Sequence, residues 1–426
     1  MILKNTKGVC FINITIVDSR CGAGKSSYAI QMMRKNTSKK YIYITPFLDE
    51  IQRIKNECSN RYFYEPNEKL GKGSKLRHFN ELLSDGDNIA STHSLFQNIN
   101  KDTIEALIKN KYTLILDETM NILEEMKVSK SDLNYLMELN VITVDDKTKK
   151  ITWHDENYDD KFGAFSELKN NCTFGDMYLI TDKVCYWIFP IEIFKYFEEI
   201  YIMTYMHKGQ IQTYYLDMHN IKYEIKSVRK CGSTGVGTRE TMRYELINYC
   251  DPNRSKYKEL INIYDGKLND VERKITDFSK TYYLNAKAGK VEQKESIELL
   301  KRNLYNYFKC IINGKSDDNM WSVFKDFKSL IKGKGYTKGF VECNIRATNK
   351  YKNKKNLAYC CNFYLNPMQK RLFKYNNIEI NEDYYALDKL LQWIFRSQLR
   401  DNKPINIYLP SSRMRRLLTQ WIDYDM

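Results

Sequence analysis

Two short segments carry residue types that belong together in phosphate chemistry. Near the start, an apolar run from Val9 to Val17 leads into Asp18-Ser19-Arg20-Cys21-Gly22-Ala23-Gly24-Lys25-Ser26-Ser27 and then the helical Tyr28-Ala29-Ile30-Gln31-Met32-Met33. The order is strand, glycine loop, helix. Glycines let backbone N–H groups close around phosphate oxygens, and the helix N-terminus adds partial positive charge. Lys25 is placed to reach terminal phosphates and Ser26 to ligate magnesium. Cys21, Gly22, Ala23, Gly24, Lys25, Ser26 and Ser27 are therefore the candidate nucleotide-binding residues. Against the pattern G-x-x-x-x-G-K-[ST], Ser19 replaces the first glycine, so a small residue must be tolerated at the loop entry. The second segment, Lys111 to Met120, reads as a buried parallel strand ending in Asp117-Glu118. Two carboxylates at the tip of an apolar strand suit nucleotide hydrolysis: Asp117 holds magnesium through water, and Glu118 orients and deprotonates the attacking water.

A third pattern lies near the C-terminus. Tyr384 to Arg400 has helical periodicity, with Gln392, Arg396 and Arg400 at i, i+4 and i+8. At about 100° per residue these advance only about 40° per step, a polar stripe on an otherwise apolar helix. Two arginines on one face can meet the charge of a γ-phosphate, or they can form a solvated face near Asp401.

The elements that must position these residues follow from the neighbouring sequence. Tyr41 to Thr45 reads as a strand followed by Pro46 and an amphipathic helix containing Ile51 and Ile54; Asn88 to Phe96 reads as a strand turning into a helix; Ile200 to Tyr205 reads as a strand ending in a hydroxyl residue. Thr92 and His93 then fall where strand ends line a ligand crevice. The chain has 426 residues, enough for two or three domains at roughly 150 residues each. Lys and Arg total 68 against 53 Asp and Glu, a net charge of +15, which favours a polyanionic partner such as nucleic acid. The 11 cysteines and five histidines show no zinc spacing, so reduced thiols and no structural zinc are expected. No segment approaches the roughly 18 apolar residues of a membrane span. A soluble, cytoplasmic protein is expected.

In this order the segments resemble a superfamily 2 helicase, and specifically the phage-type DEAD/DEAH-box family. Motif I corresponds to Ser19–Ser26, motif Ia to Ile44-Thr45-Pro46-Phe47, motif Ib to Ser91-Thr92-His93, motif II to Asp117-Glu118-Thr119-Met120 and motif III to Met203-Thr204-Tyr205. A motif V-like Cys343–Tyr351, a following strand Leu357–Phe363, a motif VI in Gln392–Arg400 and the ending Pro404–Arg415 complete it. The resemblance implies an α/β fold of two RecA-like P-loop domains in tandem, binding ATP and Mg2+ between them. It implies that Gly22, Gly24, Lys25 and Ser26 bind ATP and magnesium, that Asp117 and Glu118 hydrolyse it, and that Gln392, Arg396 and Arg400 complete the site. Thr92, His93 and Thr348 would face a nucleic-acid strand, and Thr204 would couple the two events. Met120 stands where the family has Asp or His, and Phe395 where glycine is common; eight residues precede the first strand, leaving little for an upstream adenine-reading motif, so the resemblance implies no base selectivity.

On these anchors the first domain is expected over 1–210 and the second over 211–426. An insertion near 129–182 is expected, containing a helix and a hairpin of Val141–Val144 with Ile151–Trp153. Gly232 to Gly237 lacks a following Lys-Ser and reads as a loop. The function expected is an ATP-dependent helicase or translocase on nucleic acid, DNA above RNA, in phage-type replication or recombination with other replication proteins as possible partners. The alternatives are a duplex translocase that separates no strands, and a nucleic-acid-binding protein that does not hydrolyse nucleotide.

Overall fold

The computed structural model describes residues 12–154, 158, 163, 165–234, 241–251, 253–345 and 350–425. Thr348, with the rest of 346–349, and Gly235 to Gly237 lie outside the described residues. The chain divides into two compact units: Met1–Cys250 with Asn366–Ile380, and Asp251–Leu365 with Asn381–Met426. The boundary expected near 210 therefore falls later, and the reason is strand pairing. Two further strands after 210 join the first sheet, one of them directly beside the strand that feeds the glycine loop.

The first unit is built on β1 (Ile14–Asp18), β2 (Lys40–Thr45), β3 (Phe63–Tyr64), β4 (Asn88–Thr92) and β5 (Tyr112–Asp117). After five strands of an insertion, β6 (Leu123–Lys127), β7 (Ile142–Val144), β8 (Lys150–Trp153), β9 (Asp176–Thr181) and β10 (Val184–Ile188), the large sheet resumes. It continues with β11 (Phe197–Thr204), β12 (Tyr223–Thr234) and β13 (Thr241–Asn248). The sheet has eight strands in the order β13-β12-β1-β11-β5-β2-β4-β3. Only the β12–β13 pair is antiparallel. Gly232 to Thr234, expected as loop, continue β12.

Parallel strands covered on both faces read as continuous apolar runs, and all six residues of β5 are buried. Tyr41 and Tyr43 of β2 face helices Lys25–Lys35 and Leu48–Glu57, packing with Ala29, Ile30, Met33, Ile51 and Ile54. Ile42 and Ile44, equally buried, alternate to the opposite face.

The insertion leaves the large sheet between β5 and β11, which are themselves adjacent. The expected hairpin forms, Ile142 opposite Trp153, but as part of a five-stranded antiparallel sheet, β6-β10-β9-β8-β7, running from Leu123 to Ile188. Helices Lys130–Glu138 and Ser166–Phe174 contribute Leu133, Leu136 and Leu168 to its own core. Its two ends meet: Phe189 N donates to Ile122 O at 3.0 Å.

The second unit holds four parallel strands, β14 (Ile261–Ile263), β15 (Asn319–Ser322), β16 (Asn356–Tyr359) and β17 (Ile405–Tyr408), ordered β14-β17-β16-β15. Its register is marked by an amide ladder. Asn262 donates to Asn406 at 2.9 Å, Asn406 to Asn356 at 3.2 Å and Asn356 to Asn319 at 3.1 Å. A slip by one residue would break every rung of that ladder. The α/β class expected from the sequence thus holds, with two units on mainly parallel sheets as tandem RecA-like domains require. Among the described residues, no helix is long and apolar enough to cross a membrane.

Candidate nucleotide-binding site

Parallel pairing brings the C-terminal ends of β1, β11, β5, β2 and β4 to one edge of the first unit's sheet, and the candidate residues lie in the turns leaving them. In the glycine loop, Gly22 and Gly24 have φ of 82° and 99°, the left-handed region that side chains avoid. Tyr28 N donates to Gly24 O at 2.8 Å, opening the helix directly after the loop. The Lys25 ammonium donates to the carbonyls of Ser19 and of Arg20, the latter at 3.3 Å, which holds its charge across the loop. Cys21 and Ala23 are half-buried in the same turn.

Ser19 does more than fit. Its N–H donates to Thr204 O at 3.1 Å, and its Oγ accepts from Val228 N at 2.8 Å, joining the loop to β11 and β12. One residue earlier, the buried Asp18 carboxylate accepts from Met206 N and His207 N, both at 3.0 Å, and lies 2.6 Å from His207 Nδ1. The root of the phosphate loop is fixed to the segment after β11.

Ser26 Oγ donates to Asp117 Oδ1 at 3.4 Å, across 91 residues of sequence. Asp117 is buried, and Glu118 turns away from the strand at φ 68°, its N–H donating to Met203 O at 3.0 Å. A left-handed glutamate is a strained conformation that persists only when its surroundings determine it. Thr119 Oγ1 donates to Gln210 Oε1 at 3.1 Å, Met120 N donates to Gln212 Oε1 at 3.1 Å, and Gln210 Nε2 donates to Tyr205 O at 3.0 Å. The acidic turn is therefore tied to the segment after β11 through Met120's backbone, and needs no charged side chain there. Thr204, at the end of β11, is buried with its hydroxyl turned to Tyr205 O.

Burial pushes the Asp117 carboxyl up to about 7, with the charges of Glu50 and Glu118 adding to the effect and Lys25 opposing it. Glu50 is itself raised by burial despite Arg53. The Tyr43 hydroxyl is fully buried beside Asp117 and Ser26, outside strict hydrogen-bond geometry. A hydroxyl and the Asp117-Glu118 carboxylates beside Lys25, with Glu50 held by Arg53, are hard oxygen donors, which is what Mg2+ selects. Ser26 and Asp117 would hold it.

Glu50 and Tyr43 were not marked by any motif. Arg53 connects Glu50 to the phosphate loop, donating to Glu50 at 3.0 Å and to Ser27 Oγ at 3.3 Å. The available signal was parity: Tyr43 pairs with Ile115, so it shares a face with Asp117.

Of the remaining candidates, Thr92 and His93 stand at the end of β4 where the chain turns into a helix, as expected, whereas the C-terminal three are placed differently. Thr92 is half-buried and its hydroxyl accepts from Leu95 N at 3.4 Å, capping helix His93–Gln97; His93 is buried. Gln392, Arg396 and Arg400 do not form one helical stripe, because the helix runs only from Glu382 to Ile394. Arg396 N and Ser397 N donate three residues back, to Trp393 O and Ile394 O, and Ser397 then caps a tighter turn over Gln398–Asp401. Gln392 is bonded to Asp388 at 2.7 Å, Arg396 is buried, and Arg400 is half-exposed in that turn. Thr348 lies outside the described residues.

Family models match two parts of the chain, and the C-terminal one runs through Asn366–Ile380, which the fold groups with the first unit. A family model described as the YonV C-terminal Rossmann-like domain matches residues 255–422, and one described as the YonV middle domain matches 123–187. The latter is the span of the antiparallel insertion. Among solved structures, S. tokodaii Xpd4 is similar at 12% identity and TM-score 0.46, covering 97% of this chain and 94% of its own. The DUF1998 helicase MrfA bound to DNA is similar at 10% identity and TM-score 0.32, covering 97% of this chain and 46% of its own. In sequence, the chain is 38% identical over 420 residues to the SPbeta prophage-derived uncharacterized protein YonV of Bacillus subtilis (strain 168), spanning 96% of this chain and 98% of that protein. The chain belongs to the YonV family.

Proposed function

We propose that the protein is an ATP-dependent nucleic-acid translocase or helicase of the superfamily 2 type, acting on DNA. The observation that carries the reading is the meeting of Ser26 and Asp117 at 3.4 Å, beside Lys25 and the strained Glu118. Bound Mg2+ would neutralise phosphate charge there. Lys25 would reach the terminal phosphates, Ser26 and Asp117 would hold the cation, and Glu118 would take a proton from the attacking water. The roles of Gln392, Arg396 and Arg400 at the terminal phosphate rest on the motif resemblance. Thr204 carries the coupling role, since its carbonyl is bonded to the phosphate loop. The nucleic-acid roles of Thr92, His93 and Thr348 rest on the motif resemblance. Because the Bacillus relative is prophage-derived, the proposed setting is phage replication or recombination in a host cytoplasm.

Phosphate release, measured with and without single-stranded DNA, single-stranded RNA and duplex, tests the reading. ATPase activity stimulated by nucleic acid is expected, lost in Lys25→Ala and Glu118→Gln. Arg400→Ala is expected to lower turnover on the order of 10³-fold. Release indifferent to every nucleic acid would sink the motor reading. Absence of release with retained DNA binding would leave the non-hydrolysing alternative, and release without strand displacement the duplex translocase.

A further inference from the structure

The edge strand β13 is fastened to the helix that starts at Lys25. The Gln31 amide donates to Met242 O and accepts from Tyr244 N at 3.0 Å, serving the strand as another strand would. Val228 of β12 and Leu246 of β13, opposite one another, pack on the same core as Ala29, Ile30 and Met33 of that helix. Residues two apart on a strand share a face, so Tyr244 is directed with Leu246, toward the start of the helix. There its ring closes on Gly24: a Cβ added to Gly24 would fall 2.1 Å from the ring Cε1 and 2.6 Å from Cδ1. The ring takes the space that only glycine leaves. Tyr244 is nevertheless half-buried, and the exposed Lys230 lies directly opposite it in the ladder. An aromatic side chain that only filled the core would be covered. This one leans on the phosphate loop and keeps surface open beside a cation.

We propose that Tyr244 is the shelf on which the base of a bound nucleotide stacks, with Lys230 flanking the ribose and phosphates. The proposal rests on the nucleotide site described above and adds its base-binding half. The loop backbone and Lys25 bind a triphosphate without regard to its base, whereas a base on an aromatic face adds affinity through stacking. Lys230 adds a point charge to the same surface.

The test compares ATP with inorganic tripolyphosphate, which carries no base, by calorimetric titration of the full chain in magnesium. Wild type should bind both. Tyr244→Ala and the bulk-retaining Tyr244→Leu should each weaken ATP about tenfold or more, with tripolyphosphate changed less than about twofold. Tyr244→Phe and Tyr244→Trp should keep ATP affinity. Gln31→Leu, which releases the strand, should move ATP in the same direction as Tyr244→Leu. An unchanged ATP affinity in Tyr244→Leu, an equal loss for both ligands, or tighter binding of either overturns the shelf. A wild-type protein that binds neither ligand overturns the nucleotide site itself, a different result from any of these.

Discussion

Asp117 is held in the folded protein near about 7 by burial and by the charges of Glu50 and Glu118, far above an ordinary carboxylate. Between the two values the folded chain keeps a proton that the unfolded chain has released, so this residue's contribution to stability is present at low pH and lost as pH rises through about 7. In chelator, Asp117→Asn should therefore melt above wild type at pH about 8, by on the order of 1–3 kcal/mol. The gap should close toward pH about 5. A gap of the same size at both pH values would show that the carboxylate is not desolvated. Ser19 gives a second prediction at this scale. Ser19→Gly restores the glycine usual at that position, yet it removes the 2.8 Å acceptor of Val228 N. It should lower stability by about 1–3 kcal/mol, read in thermal unfolding; an increase would contradict the bond. The phosphate loop and Asp117-Glu118 were legible because their chemistry is written in consecutive residues. Glu50, Tyr43, Gln210 and Gln212 were not, because each reaches its partner only through strand order and parity.

At the scale of elements, the insertion is the most separable part. It has its own antiparallel sheet and core, and its ends are joined by the bond from Phe189 N to Ile122 O. Replacing residues 123–188 by a short Gly-Ser linker should leave β5 and β11 paired, with Ile200 opposite Leu114. Circular dichroism and thermal unfolding should show a folded protein with less antiparallel strand; an unfolded product would mean that the large sheet depends on the insertion. Its hairpin was legible from alternation, but its five-strand extent was not. β6 has two exposed glutamates following Leu123, and its partner β10 lies some 60 residues on, so neither announces the other. The C-terminal helix shows the opposite failure. Its periodicity continues through Arg400, but Ser397 offers a cap, and the chain leaves helical geometry after Ile394.

For the whole molecule, the net charge of +15 predicts how the proposed nucleic-acid partner would be held. Binding to a single-stranded oligonucleotide should fall on the order of 10- to 10³-fold between about 50 and 200 mM salt, with little dependence on base sequence. A salt-independent affinity would remove the electrostatic grip. The boundary between the units was not visible in the sequence, because motif order alone gives no reason to assign β12 and β13 backwards. Nor does it reveal that the chain, after entering the second unit at Asp251, returns for Asn366–Ile380. In that return, helix Pro367–Tyr375 sets Phe373 against Tyr214 at 6.2 Å between ring centres. For the gene this has a plain consequence. No single breakpoint between codons hands either unit, whole, to another coding sequence. A recombinant that exchanged everything after codon 250 would inherit that helix from one parent and the surface beneath it from the other, so the two halves must descend together.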